Sequence, residues 1–145
     1  MTDAAGEVRL QLSFPLVAEN GPRFADEIVQ QGRSQGLALD YSAASLALLD
    51  SIIASLRNEK VTADRVADVL FGFGSYLGEA IVRATGGRWI SITDAKDRPS
   101  STFPIVVELA DRSTCNPLDQ PFTALIDGER AGLAQFFARV VPDAA

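Results

Sequence analysis

The sequence contains no histidine and a single cysteine among its 145 residues. Without histidine there is no Ser-His-Asp triad, no Cys-His pair and no histidine metal ligand, which excludes the commonest hydrolase mechanisms and zinc sites. The carboxylates do not show metal-ligand spacing either, so the sequence predicts neither a metal nor another cofactor. Cys115 cannot form a disulfide within the chain, as is usual in a reducing compartment.

Basic runs and long apolar runs are also missing. Thirteen Lys and Arg against nineteen Asp and Glu give a formal net charge of -6, and no four basic residues are consecutive. Binding to nucleic acid or to an anionic membrane depends on clustered positive charge, and a membrane-spanning helix needs about 20 apolar residues. The sequence therefore predicts a cytoplasmic protein that binds neither. An acidic surface favours a protein partner with a basic surface, and homo-oligomerisation stays open.

The length and composition suit one domain over residues 1–145. Hydrophobic residues make up 47% of the chain, enough to form a core without disulfides or metal. We identify no internal repeat and no low-complexity segment.

The first part of the chain predicts a strand and two helices. Val8, Leu10, Leu12 and Phe14 alternate with polar residues, the pattern of a strand with one buried face, which would lie at a sheet edge. A short helix begins at Pro22 and ends near Gly32 or Gly36. Ser42 is a candidate N-cap for a helix that reaches about Asn58, with Asp50 and Arg57 opposite its apolar face.

A long helix follows, for which Thr62 is the candidate N-cap. Its apolar positions cover two adjoining faces, which predicts burial on both sides, and Gly86-Gly87 ends it with a left-handed cap. Gly74 and Gly78, four residues apart, indicate close approach of another element to the helix.

The last third of the chain predicts a hairpin and two short helices. Residues 88–93 and 103–109 are predicted to form antiparallel strands joined by a solvated loop over 94–102. A helical turn over 122–126 ends at Gly128, and Leu133, Phe136, Phe137 and Val140 form the apolar stripe of a terminal helix. Helices early and strands later predict an α+β fold, with helices packed on a small, mainly antiparallel sheet.

Residues 62–89 carry the most distinctive pattern, Gly-Ser-Tyr-Leu-Gly-Glu followed by Gly-Gly-Arg-Trp. This pattern resembles the signature of a family of small uncharacterised bacterial domains, and Leu39–Asp50 is similar to the helix that precedes it there. The resemblance covers about half of the chain. It implies a bacterial α+β domain of unknown function, with immunity or toxin-neutralising roles among those it suggests, and it assigns no catalytic residue.

Glu79 is the strongest candidate for a polar site. One reading is an exposed ion pair with Arg83, four residues further along the helix. Its rival is a partly buried acid that accepts hydrogen bonds or touches a ligand beside Tyr76 and Trp89. We favour burial with a structural role, because buried acids in small domains are usually paired with structural donors.

Three classes of function remain open on this sequence. We favour a non-enzymatic protein-interaction module, immunity-like in character. The alternatives are a small-ligand-binding domain with its pocket near Tyr76, Glu79 and Trp89, and a carboxylate-dependent enzyme. Asp64 with Asp68, and Asp94 with Asp97, are the formal carboxylate pairs, but acids at helix starts and in loops are mostly solvated.

Overall fold

The computed structural model describes residues 10–97, 99–128 and 131–142. Within them, the helices are α1 (Gly21–Ser34), α2 (Ala43–Asn58), α3 (Ala67–Thr85), α4 (Gln120–Asp127) and α5 (Leu133–Val140). Strands β1 (Arg88–Ser91), β2 (Ile105–Glu108) and β3 (Thr114–Cys115) form an antiparallel sheet in the order β1-β2-β3. The predicted α+β architecture is confirmed.

Helix α3 lies at the centre of the fold. It packs against α1, α4 and α5 and against strands β1 and β2. Every residue from 70 to 81 is buried, as the two adjoining apolar faces predicted. A helix surrounded in this way has little surface left for solvent, so its polar residues must find partners inside the protein.

Several helix ends follow local signals. Ser42 caps α2 by accepting a hydrogen bond from the Ser45 amide, and α2 ends at the predicted Asn58. Gly86 ends α3 in the left-handed conformation with a φ of 75°, which glycine adopts without steric cost. The Gly86 cap fixes where α3 turns back into β1.

The predicted N-terminal strand is wrong over the described residues 10–14; positions 8 and 9 lie outside the described part of the chain. Leu10, Leu12 and Phe14 do pack against the core, and the residues between them are exposed, so the alternation of burial is right. The segment docks on helices rather than on a strand. Gln11 donates its amide to Asp68 of α3, and Ser13 donates its hydroxyl to Glu27 of α1.

Other boundaries also differ. Thr62 precedes a short 3-10 helix (Ala63–Arg65) without a side-chain cap, and α3 begins after a break at Val66. Strand β1 ends at Ser91, where another 3-10 turn begins. The third strand, β3, lies between the predicted strand at 103–109 and the predicted turn at 122–126, where the sequence predicts no regular element. Its two residues have almost no sequence pattern, and only their pairing with β2 makes them a strand.

Asp50 and Arg57, predicted opposite the apolar face of α2, both contact other helices. The two carboxylate oxygens of Asp50 accept the amides of Leu133 and Ala134, at 2.7 and 3.0 Å, and so cap the first turn of α5. The Arg57 guanidinium lies against Gly128, at the C-terminal end of α4. One helix therefore places an acid at a helix N-terminus and a base near a helix C-terminus, as the helix dipoles favour.

Candidate functional site

Glu79 lies on α3 and is only 6% exposed. Its Oε1 accepts a hydrogen bond from the indole Nε1 of Trp89 at 3.3 Å. Its Oε2 accepts one from Arg83 Nε at 3.2 Å, one helical turn further along. Both oxygens therefore have a protein donor, and these bonds offset the cost of removing the carboxylate from water.

Trp89 reaches Glu79 because two glycines leave room for its ring. A Cβ on Gly78 would lie 2.3 Å from the indole, and one on Gly21 would lie 2.5 Å from it. Trp89 extends from β1 onto α3, directly after the turn at Gly86. The close approach that Gly74 and Gly78 indicated is thus found: Gly78 faces the Trp89 ring, and Gly74 faces the backbone at Leu118.

Tyr76 lies one turn before Glu79 and is fully buried. Its hydroxyl accepts the amide of Tyr41 at 2.6 Å and lies 2.6 Å from the Ser45 hydroxyl. Burial raises the pKa of Tyr76, while the hydrogen bond with Ser45 opposes the rise. The phenol is therefore a neutral link between α3 and the connector before α2.

Tyr41 joins Tyr76 to Arg83. The two tyrosine rings stack with centroids 4.6 Å apart and an interplanar angle of 14°. The Arg83 guanidinium lies 4.0 Å from the centroid of Tyr41. Because Tyr76 already covers one face of this ring, the guanidinium covers the other, in a cation–π contact. Burial raises the pKa of Tyr41, and the positive charge of Arg83 opposes the rise.

The backbone of Tyr41 adds to this constraint. Its φ of 66° lies in the left-handed region, which is uncommon for a bulky residue and costs energy that the surrounding contacts must supply. Tyr41 was not among the residues selected from the sequence. The tetrapeptide Leu39–Ser42 contributed only to the family resemblance. No local sequence pattern indicates that Tyr41 stacks on a residue 35 positions away.

The structure brings the predicted site residues together as one connected cluster. Arg83 links Glu79 and Trp89 on one side to Tyr41 and Tyr76 on the other. Both oxygens of Glu79 are engaged, so the arrangement orders Arg83 and Tyr41 instead of presenting a free carboxylate to solvent. The Arg83 side chain remains 59% exposed. The cluster can therefore offer the edge of a fixed, half-buried aromatic ring and an exposed guanidinium.

Several other acids, including Asp64 and Asp68 of the predicted carboxylate pairs, have local structural partners. Asp40, Asp64 and Asp111 are exposed, and hydrogen bonds from nearby Ser or Thr residues lower the pKa of each. Asp68 binds the N-terminal segment. Burial raises the pKa of Cys115 to about 12, so its thiol stays protonated at neutral pH.

Among residues 10–97, 99–128 and 131–142, no three His, Cys, Asp or Glu side chains are grouped so as to hold a metal ion. No helix in these ranges combines the length and hydropathy needed to cross a bilayer.

The residues that line three surface cavities do not include Tyr76, Glu79, Arg83 or Trp89. One of about 230 Å³ lies between the N-terminal segment, α1 and α3. A second of about 420 Å³ lies between α2, α4 and α5, and a third of about 420 Å³ lies along the connector from α1 to α2. The predicted ligand pocket near Glu79 therefore stays a prediction that these cavities do not support.

Comparison of the chain with protein-family models, with curated proteins and with solved structures found no match. The resemblance to the bacterial family therefore stays a prediction.

Proposed function

We propose that this protein is a non-enzymatic, cytoplasmic bacterial module that binds another protein, in an immunity-like role, through a surface centred on Tyr41. We call this surface, formed by Asp26, Asp40, Tyr41 and Arg83, the Tyr41 face. The observation that carries the proposal is the clamped, half-buried Tyr41 ring, whose two faces are covered by Tyr76 and Arg83 and whose edge is left for a partner. Tyrosine and arginine are over-represented among the residues that dominate binding energy at protein interfaces.

Pre-organisation is the physical reason why this ring suits binding. A partner that binds a mobile side chain must order it, at a cost of about 0.5–1.5 kcal/mol for each side chain. Stacking and the fixed backbone of Tyr41 have already ordered this ring, and the ion pair with Glu79 has partly ordered Arg83. The strain at Tyr41 is consistent with a residue retained for a contact outside the chain.

The charges on the Tyr41 face favour a basic partner. Asp40 and Asp26 are exposed beside the ring. Asp26 is close enough to Tyr41 to affect the pKa of its phenol, and Ser42 lowers the pKa of Asp40, so Asp40 keeps its charge below neutral pH. With the net charge of -6, these acids would attract a basic protein and accelerate association.

The test compares partner capture by matched variants in extracts of the native cell. Tyr41→Gly removes the ring while tolerating the positive φ, and Asp40→Asn removes one charge. Arg33→Gln, an exposed position on α1 without a side-chain partner in the described ranges, is the control. We expect wild type and Arg33→Gln to capture the same protein, Tyr41→Gly to lose it, and Asp40→Asn to bind it more slowly at low salt. Equal capture by Tyr41→Gly, with an unchanged melting temperature, would refute the proposal.

A further inference from the structure

A second buried acid, Glu108, lies at the end of β2 and is 4% exposed. It pairs directly across the sheet with Arg88 of β1. Trp89, the next residue, faces α3, so Arg88 and Glu108 lie on the sheet face away from α3. This position separates them from the Tyr41 face.

Two arginines hold the two oxygens of this carboxylate. Arg88 donates from Nε and Nη2 to Oε1, at 3.1 and 3.0 Å. Arg112 places its Nε 3.3 Å from Oε2, an ion pair whose geometry falls short of a hydrogen bond, so that Oε2 is buried without a donor. Glu108 therefore has fewer of its hydrogen bonds made than Glu79 has. Because replacing a buried ion pair by apolar residues is often neutral or stabilising, the burial of Glu108 indicates a role other than stability.

What the acid does achieve is to fix two guanidinium groups side by side at the surface. The side chains of Arg88 and Arg112 are 71% and 60% exposed. Within the described ranges, Nη1 of Arg88 and both terminal nitrogens of Arg112 have no protein acceptor. These groups are donors held in place and open to solvent.

Arg112 also occupies a backbone position that disfavours it. It lies in the turn between β2 and β3, where its amide bonds to the Leu109 carbonyl, and its φ is 71°. Glycine or asparagine would adopt this conformation more easily. An arginine at this position, paired with a buried acid, indicates that its guanidinium group has a role that glycine or asparagine could not fill.

We propose that Arg88 and Arg112 form a binding site for a phosphate group, supplied by a small phosphorylated molecule or by a phosphorylated side chain of a partner. A phosphate presents several oxygens and can accept from two guanidinium groups at once, which a single carboxylate does less well. The two arginine charges equal the charges of Glu108 and Asp111, because hydrogen bonds from the amide and hydroxyl of Ser113 to Asp111 Oδ1 lower the pKa of Asp111 and keep it ionised. Phosphate binding would therefore depend on the positioned guanidinium donors and not on an excess of positive charge.

The first experiment titrates the full chain with inorganic phosphate at constant ionic strength, followed by the backbone amide NMR signals. We expect saturable shifts at residues 88, 108 and 112 that sodium chloride alone does not produce. Arg88→Gln and Arg112→Gln should each weaken binding roughly tenfold or more, the effect of losing a charge-assisted hydrogen bond. Arg33→Gln should leave the affinity unchanged.

Glu108→Gln separates a built site from simple charge attraction. If Glu108 positions the arginines, removing its charge weakens phosphate binding; if charge alone attracts the anion, binding strengthens and the proposal of a built site is overturned. Shifts that do not saturate, or that persist in both arginine variants, overturn it as well. The arginine variants keep the test decisive if Glu108→Gln does not fold.

A parallel titration with free phosphoserine and with a phosphoserine peptide identifies the source of the phosphate. Equal affinities favour a small phosphorylated molecule, and tighter binding of the peptide favours a modified partner.

Discussion

Individual residues in this protein show how burial changes the role of a charge. Glu79 carries the same carboxylate group as the exposed acids, but both of its oxygens accept hydrogen bonds inside the fold. The ion pair with Arg83 contributes little to the free energy of unfolding, because solvent screens the exposed guanidinium. The bond from Trp89 is shielded from water, and we expect it to contribute most of the energetic effect of Glu79.

Replacing Glu79 by alanine should lower the free energy of unfolding by about 1–3 kcal/mol, because it leaves the buried Trp89 Nε1 without an acceptor. The loss should depend weakly on salt. Urea unfolding at low and high sodium chloride, followed by the fluorescence of Trp89, the only tryptophan of the chain, measures it. Glu59→Ala, at the exposed end of α2, is the matched control. A loss near 0.5 kcal/mol that salt abolishes would instead identify a surface ion pair.

Cys115 predicts a dependence of stability on alkaline pH. Burial raises its pKa from 9.0 to about 12 in the folded state, so between these values the unfolded chain has released a proton that the folded chain retains. Unfolding then becomes easier as the pH rises, by at most about 1.4 kcal/mol per pH unit. Urea unfolding of wild type and Cys115→Ala from pH 8 to pH 10 checks this, since the variant removes the thiol but keeps both tyrosines. Parallel curves for the two proteins would mean that the thiol is exposed.

At the scale of elements, α3 is packed through its glycines. Gly72, Gly74 and Gly78 each lie where a methyl group would meet another part of the protein, but the opposing groups differ in stiffness. The opposing atoms are the end of the Ile28 side chain, the backbone at Leu118 and the Trp89 ring, respectively. Backbone and aromatic rings yield less than the end of an aliphatic chain.

Alanine at Gly74 or Gly78 should therefore destabilise the protein most, and alanine at Gly72 should destabilise it least. Overpacking costs about 1–3 kcal/mol, while each substitution gains about 1 kcal/mol of helix propensity, so Gly72→Ala should lie near zero. Thermal unfolding gives the order, and Gly78→Ala should also shift the Trp89 emission. A stabilised Gly78→Ala variant would show that the indole does not lie on this glycine.

Asp50 makes one helix depend on another. Because it caps α5 from α2, Asp50→Ala should cost about 0.5–2 kcal/mol, the range for loss of an N-terminal cap. Amide hydrogen exchange should accelerate first at Leu133 and Ala134. Ser51→Ala, the adjacent exposed position on α2, should leave this exchange unchanged. Uniform acceleration throughout the protein would indicate global destabilisation instead of loss of the cap.

At the scale of the whole molecule, the charged side chains divide into two groups. Most acids in the described ranges are exposed, and acids outnumber bases over the chain. Glu79 and Glu108 are buried; Glu79 holds one exposed arginine in a defined position, and Glu108 holds two. The proposed interaction surface and the proposed phosphate site share this construction, on different parts of the fold.

We expect the folded chain to need no divalent metal. The sequence has no histidine, and the described residues contain no cluster of three or more potential ligands. Thermal unfolding with and without a strong chelator should therefore coincide. A drop of several degrees in the melting temperature with chelator, reversed by one added metal, would instead show that a bound metal stabilises the fold.

The sequence by itself determined that the helices form and where several of them begin or end. The cap at Ser42, the glycine stop at Gly86 and the apolar stripe of α5 involve residues within about four positions of one another, and such signals act before the chain has folded. The burial of Glu79 was also predictable, because α3 is apolar on two faces and leaves a polar residue few other places.

Only the tertiary structure decided the rest, and each case depends on a partner distant in sequence. Residues 10–14 alternate like a strand, yet α1 and α3 offer a better surface than a sheet edge. Strand β3 exists because β2 pairs with it. Asp50 finds the amides that it caps 83 and 84 positions away, and Tyr41 meets Tyr76 across 35. No local pattern encodes such contacts, since packing of the whole chain selects them.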